Sequence, residues 1–260
     1  MRFNNTFKII LLSAAVVLLL TVGAVSTALS QPPDRSPDEA PEPTEAVSKP
    51  QSHQIPSVKA QLQDTLMAGC ETHACVALLQ SLGYDIDIFR FADNYLDCRP
   101  VTEDEVTGEK YGPDMNSAFA GTAYAGWGAY APLMAKCMNR YLQDVKSSQK
   151  AYVIEEKLTL EQLCEQYIDH DIPVVIWATS DMKEPFEHEM WKINYVDENA
   201  KYKIGDTFVW MIYEHCLVLC GYDKDNYYFS DSIVGDISHF ARDLSETRYE
   251  QLGWQAIVVK

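Results

Sequence analysis

The hydrophobic period changes half-way along this chain, and that change limits the folds open to it. Between Gly69 and Gly83, apolar residues fall at 75, 78, 79 and 82, the spacing of a buried helix face. Gly83 stands where a helix C′ residue is expected. The segments 131–142 and 159–168 read as two further helices. Beyond them the pattern becomes short apolar runs, and 173–179, 214–222, 227–231 and 254–259 read as strands. Asp223-Lys-Asp-Asn226 lies between two of these and supplies turn residues for an antiparallel hairpin. Helices in the N-terminal half packed on a C-terminal antiparallel sheet predict an α+β fold. Residues 56–260 are expected to form that one domain.

The residues before it differ in kind. Arg2 and Lys8 precede an uncharged, largely apolar run from Ile9 to Ala28. Residues 1–30 therefore read as an export segment, either a cleaved signal peptide or a retained N-terminal membrane anchor. Ala24, Ser26, Ala28 and Ser30 offer cleavage points, and no cysteine lies near the run to carry a lipid. With the positive residues held inside, the rest of the chain is expected to be extracellular or at the cell surface. Residues 31–55 read as a Pro-rich, acidic, disordered linker, because 6 of the 12 prolines fall between 31 and 50 with almost nothing apolar. The whole chain sets 21 basic against 38 acidic residues, a net charge of −17. With no Lys/Arg cluster to offset it, that charge argues against a nucleic-acid partner. Membrane contact is expected only through the N-terminal segment.

Cys70 follows a glycine at the first turn of the predicted helix. Free backbone N–H groups and the positive end of the helix dipole favour thiolate there, so a depressed pKa is expected for Cys70 alone among the 7 cysteines. A cysteine nucleophile needs a base, and the base needs an orienting partner. His215 on the first strand of the hairpin and Asp231 at the end of the second can fill those roles. Gln63, seven residues before Cys70, could donate to an oxyanion beside the Cys70 backbone N–H. Each residue has an inert alternative: a buried thiol, a hydrogen-bonded core histidine, a turn aspartate. The order of the set raises it above those alternatives.

Gly69-Cys70-Glu71, opening a helix that ends Leu-Gly-Tyr84, resembles the papain-superfamily cysteine peptidases related to bacteriocin leader-processing enzymes, cysteine-peptidase family thirty-nine. Further matches are Asn116-Ser-Ala-Phe119, the Gly/aromatic run to Tyr130-Ala-Pro132, Pro173-Val-Val-Ile-Trp177, Glu214-His-Cys-Leu-Val-Leu-Cys-Gly-Tyr-Asp223 and Leu252-Gly-Trp-Gln-Ala256. The resemblance spans residues 56–260. It implies a papain-like fold, a peptide or protein substrate, no cofactor, and Cys70, His215 and Asp231 as nucleophile, base and acid. The family's acid usually stands in an Asp-Pro pair, where this chain has Asp231-Ser232. The upstream oxyanion glutamine would be Gln63, with Gln61 nearby. Leader peptidases are fused to an ATPase transporter, and this chain has no phosphate-binding G-x-x-x-x-G-K-[ST] motif, so leader cleavage is not implied. A cell-wall peptide substrate and a catalytically silent binding domain are the two competing readings.

The run Gly121 to Tyr130 lacks the Lys-Ser/Thr of a phosphate loop and could line a cleft or pack its aromatics structurally. No metal site is expected, because His215 should point to the opposite strand face from Cys216 and Cys220. Cys70 and Cys75 on one helix would lie ~8–9 Å apart, beyond the ~7 Å that a disulfide spans. Cys216 and Cys220 would be roughly 13 Å apart along a strand. Pairing among Cys98, Cys137 and Cys164 stays open.

Overall fold

The helix at Cys70 forms where its spacing predicts, but it is buried on every side rather than on one face. In the computed structural model, which describes residues 51–260, α1 (Cys70–Ser81) carries buried residues from Glu71 through Leu79 without a break. Gly83 takes φ +88° just past its end and stops it. A helix enclosed this way is the axis of a core rather than a surface layer.

Before it comes β1 (His53–Gln54). After it follow α2 (Ile88–Tyr95), β2 (Cys98–Arg99), β3 (Thr102–Glu103), β4 (Lys110–Pro113), β5 (Phe119–Gly121) and β6 (Gly126–Gly128). The middle holds α3 (Ala131–Asp144), β7 (Ala151–Val153), α4 (Leu160–Gln166) and β8 (Val174–Thr179). The C-terminal part holds β9 (Glu187–Tyr195), β10 (Thr207–Met211), β11 (Glu214–Tyr222), β12 (Asn226–Asp231), β13 (Asp236–Ala241), α5 (Arg242–Gln251) and β14 (Ala256–Val259).

The main sheet runs β13-β12-β11-β8-β14-β7, with β1 paired to β11, and every pair in it is antiparallel. Helix α1 packs on β11 and β8, α3 on β7 and β14, and α5 on β8, β12 and β13. The α+β reading therefore holds. The core between helices and sheet includes Leu78, Leu79, Val175, Trp177 and Leu217, all essentially inaccessible.

Two parts of the architecture depart from the sequence reading. A second sheet, β10-β9-β4-β3, encloses its own small core of Met115, Ala120, Trp191, Ile193 and Phe208. In β9 the apolar Trp191, Ile193 and Tyr195 alternate with the polar Lys192 and Asn194, β10 is largely apolar, and β4 joins β9 in parallel from far earlier in the chain. The start of the domain also moves. His53–Gln54 pairs with Tyr222–Gly221, the Ile55 N–H donates to Cys220 O at 2.8 Å, and Ile55 is 4% exposed. The disordered linker therefore cannot extend to residue 55, because the last three residues assigned to it complete the edge of β11 just beyond the end of β8. The readings for residues 1–50 lie outside the described residues. At the other end, Trp254 sits at φ +54°, so the last strand begins at Ala256 rather than Trp254.

Gly221 is what lets β1 approach. A Cβ there would meet His53 O at 2.7 Å and Gln54 Cα at 3.1 Å. Gly221→Ala should release β1 and cost roughly 1–3 kcal/mol. Faster hydrogen exchange at the Ile55 amide, together with a lower urea midpoint, would report it; an unchanged Ile55 amide would contradict this packing.

Candidate active site

Strand register brings the predicted base and acid together. Val218 pairs with Ser230 across β11 and β12, so one step further along sets Asp231 opposite Leu217, on the face His215 shares at a two-residue interval. The His215 Nε2–H donates to Asp231 Oδ1 at 2.9 Å, with both residues only 2% exposed. That bond fixes the imidazole tautomer and leaves Nδ1 as the basic nitrogen. Asp231 is held in turn by the Ile233 N–H at 3.0 Å and the Ser238 hydroxyl at 3.1 Å. Burial pushes its carboxyl up, but the hydrogen bond and charge of His215 and these two donors pull it below the ordinary carboxylate value.

Cys70 occupies the first turn of α1, half-buried, and meets β11 at the residues flanking His215. The Cys216 N–H favours the thiolate, whereas the Glu214 carboxyl opposes it. In this structure the thiol donates to Glu71 Oε2 at 3.3 Å rather than to His215. The expected depression of its pKa is not found. Burial first, then the charges of Glu71 and Glu214, push the Cys70 thiol well above its ordinary value. The helix dipole is outweighed by burial and these two acids, each of which adjoins a predicted site residue in sequence. Cys75 and Cys216 are also pushed well up by burial, Cys137 and Cys220 to about 12 and Cys98 to about 11. All seven cysteines are free thiols, so Cys98, Cys137 and Cys164 form no bridge.

Glu71 and Glu214 are the residues that sequence reasoning missed. Glu71 is fully buried and its Oε1 accepts the Ala129 N–H at 2.7 Å. Ala129 O in turn accepts the Trp177 indole N–H at 2.9 Å. The Gly/aromatic run therefore serves to lay Gly128–Ala129 over the two acids. Gly128 has φ +119°, and a Cβ on it would stand 2.3 Å from Glu71 Oε1 and 3.2 Å from Glu214 Oε2. Burial pushes the Glu71 carboxyl up to about 7 against the pull of the Ala129 N–H, its own N–H and the Cys70 thiol. Burial and the nearby Glu71 push Glu214 well above the ordinary carboxylate value.

Gln63 does not stand free beside Cys70. Its amide N–H donates to Met67 O at 2.9 Å, and its amide oxygen accepts the Ser232 hydroxyl at 2.8 Å. Its backbone N–H donates to Ser232 O at 2.7 Å. Gln63 thus ties the loop entering α1 to the loop leaving Asp231, with one further amide proton available. A second buried histidine, His73, donates from Nδ1 to Gly69 O at 2.8 Å and braces the residue before Cys70. A cavity of about 360 Å³ lies beside Tyr130, Phe208 and Trp254, but Cys70, His215 and Asp231 are not in its walls.

A helix-start cysteine against a strand histidine whose ring is oriented by an acid on the next strand is the arrangement the sequence resemblance implied. The chain belongs to the Peptidase_C39 like family. The model matches residues 51–257. Among solved structures, the chain resembles a candidate C39-like peptidase from Bacillus anthracis, with a TM-score of 0.64 and 25% identity, over 80% of this chain and 97% of that one. No curated protein matches the chain. Family and fold together make this a cysteine-type peptidase domain of papain-like architecture. The family match begins at residue 51, in agreement with the early start that β1 gives the domain.

Two outcomes check this site. Gly128→Ala should displace Glu71 and strain the backbone, lowering stability by roughly 1–3 kcal/mol in urea melts; full stability would mean that the two carboxyls are not packed on Gly128. The raised Glu71 also links stability to pH. The folded state keeps a proton that the unfolded chain releases from about pH 4.5, so this contribution is complete below that pH and is lost as pH rises through about 7. Glu71→Gln should flatten the fall in urea stability between pH 5 and 8, and an unaltered slope would contradict it.

Proposed function

We propose that this protein is an exported peptidase that cleaves peptide or protein substrates through a Cys70-His215-Asp231 triad and an acyl-enzyme. The observation that carries this reading is the His215–Asp231 bond, which commits Nε2 to the acid and leaves Nδ1 to take the Cys70 proton. On substrate binding the thiol turns from Glu71 to His215 and attacks the scissile carbonyl as thiolate. The oxyanion is received by the Cys70 backbone N–H and the remaining amide proton of Gln63. Imidazolium then protonates the leaving amine, the C–N bond breaks, and a thioester remains on Cys70. Water, deprotonated by His215, attacks the thioester and releases the acid and the thiol. No cofactor is required. Residues 1–30 deliver the domain across the membrane, as signal or anchor, and residues 31–50 tether it.

The triad is tested by peptide hydrolysis with variants in the full chain. His215→Ala should reduce kcat/KM by at least ~10²–10⁴-fold. Asp231→Asn should cost less than Asp231→Ala, because its amide oxygen still accepts the Nε2–H and its amide nitrogen can donate to Ser238. If Asp231→Asn were as damaging as His215→Ala in a folded protein, orientation would not be the role of Asp231. Export is tested by a reporter fused after Lys260, which should be active only outside the cytoplasm; cytoplasmic activity would overturn it.

A further inference from the structure

Resting on the reading of Cys70 as nucleophile, we propose that Glu71 is a positioning residue that gates it by proton occupancy. As a carboxylate, Glu71 accepts the thiol proton and holds Cys70 away from His215. As the neutral acid it releases the thiol to the imidazole.

The geometry supplies each part. The thiol reaches Glu71 Oε2 at 3.3 Å, and the other carboxyl oxygen is anchored by the Ala129 N–H at 2.7 Å. The carboxyl therefore cannot swing away when its charge changes, and Gly128 leaves no free volume above it. Glu214 closes the same pocket from β11. Its Oε1 and the Trp210 indole N–H are both buried without a well-formed partner, and the indole lies near enough to the carboxyl to pull its pKa down against burial and Glu71. Two buried carboxyls this close oppose each other's ionisation; burial and the Glu71 charge push Glu214 well up, so it holds its proton while Glu71 titrates at about 7. Cys70 and His215 are the groups on which the pair acts, and the other titratable groups around it are Cys75 on α1, Cys216 on β11 and Tyr130 before α3. Cys75, Cys216 and Tyr130 are pushed up and stay protonated near neutrality, so none competes with Glu71 as the gating proton.

The sign follows from charge. Below about pH 7 Glu71 is protonated, its charge no longer adds to burial in opposing a thiolate at Cys70, and Glu71 can donate to that thiolate. Above that pH the Glu71 charge captures the thiol proton and disfavours the thiolate–imidazolium pair. The nucleophile is thus available on the acid side and withheld on the alkaline side, the reverse of an ordinary thiol.

The test is alkylation of the full chain by iodoacetamide between pH 5 and 9, with Cys70 followed by peptide mass spectrometry. In the wild type the Cys70 rate should fall as pH rises through about 7. Glu71→Gln, neutral and of the same shape, should abolish the fall and react at least about tenfold faster at pH 8. Glu214→Gln should retain the fall, because it replaces a group already neutral. A wild-type rate that rises monotonically with pH would overturn the gate without any variant, as would a Glu71→Gln profile identical to the wild type. Failure of the gate alone would leave acid-side Cys70 reactivity that His215→Ala removes. Absence of Cys70 reactivity at every pH in every variant would overturn the nucleophile and the gate together.

Discussion

The hydrogen bond from the Ala129 N–H to the buried Glu71 carboxyl is the contact on which the rest of the site depends. It joins the first turn of α1 to the strap that leads into α3, and through Ala129 O it reaches Trp177 in the middle of the main sheet. A carboxyl taken fully out of water is costly unless it is bonded or neutral. Glu71 meets that demand with backbone donors and a raised pKa. The same contact fixes the height at which Cys70 stands against β11. A helix start alone would favour a reactive thiolate. A helix start beside two enclosed acids gives a thiol that burial and those acids push well up.

The half of the sheet that carries His215 and Asp231 is built by register rather than by loops. Antiparallel pairing of β11 with both β8 and β12 places His215 and Asp231 on one face, and the Ser238 hydroxyl from β13 reaches the acid from the next strand. Gln63 joins the loops on either side, so the entry to α1 and the exit from Asp231 move as one piece. A site whose members come from paired strands and one buried helix is rigid by construction.

Much of this was legible in the sequence, for identifiable reasons. Helix α1 and strands β8, β11, β12 and β14 carry strong periodicity or unbroken apolar runs, and their order singles out Cys70, His215 and Asp231 as the candidate set. Helix α2 was also legible but unread: Ile88, Phe91, Ala92 and Tyr95 keep helical spacing behind the Asp87 cap. Helix α5 was not legible, since only Ser245 and Tyr249 are buried along it and no apolar stripe marks it. The β9–β10 sheet is held by Trp191 and Phe208 meeting across a hairpin, a pairing that local pattern does not encode. β1 is two residues long, too short for any periodic signal. The acid pair was hidden differently, because Glu71 and Glu214 look like solvated neighbours of Cys70 and His215 until the Gly128–Ala129 strap closes over them.

The central claim is that Cys70 carries the acyl group during hydrolysis. It is tested most directly by mixing the full chain with a chromogenic peptide ester and quenching in acid within the first turnover. The account predicts a burst of about one leaving group per chain, with the acyl mass found on the peptide that bears Cys70. Linear release with no burst and no acylated peptide, or an acyl group on a different cysteine, would contradict it.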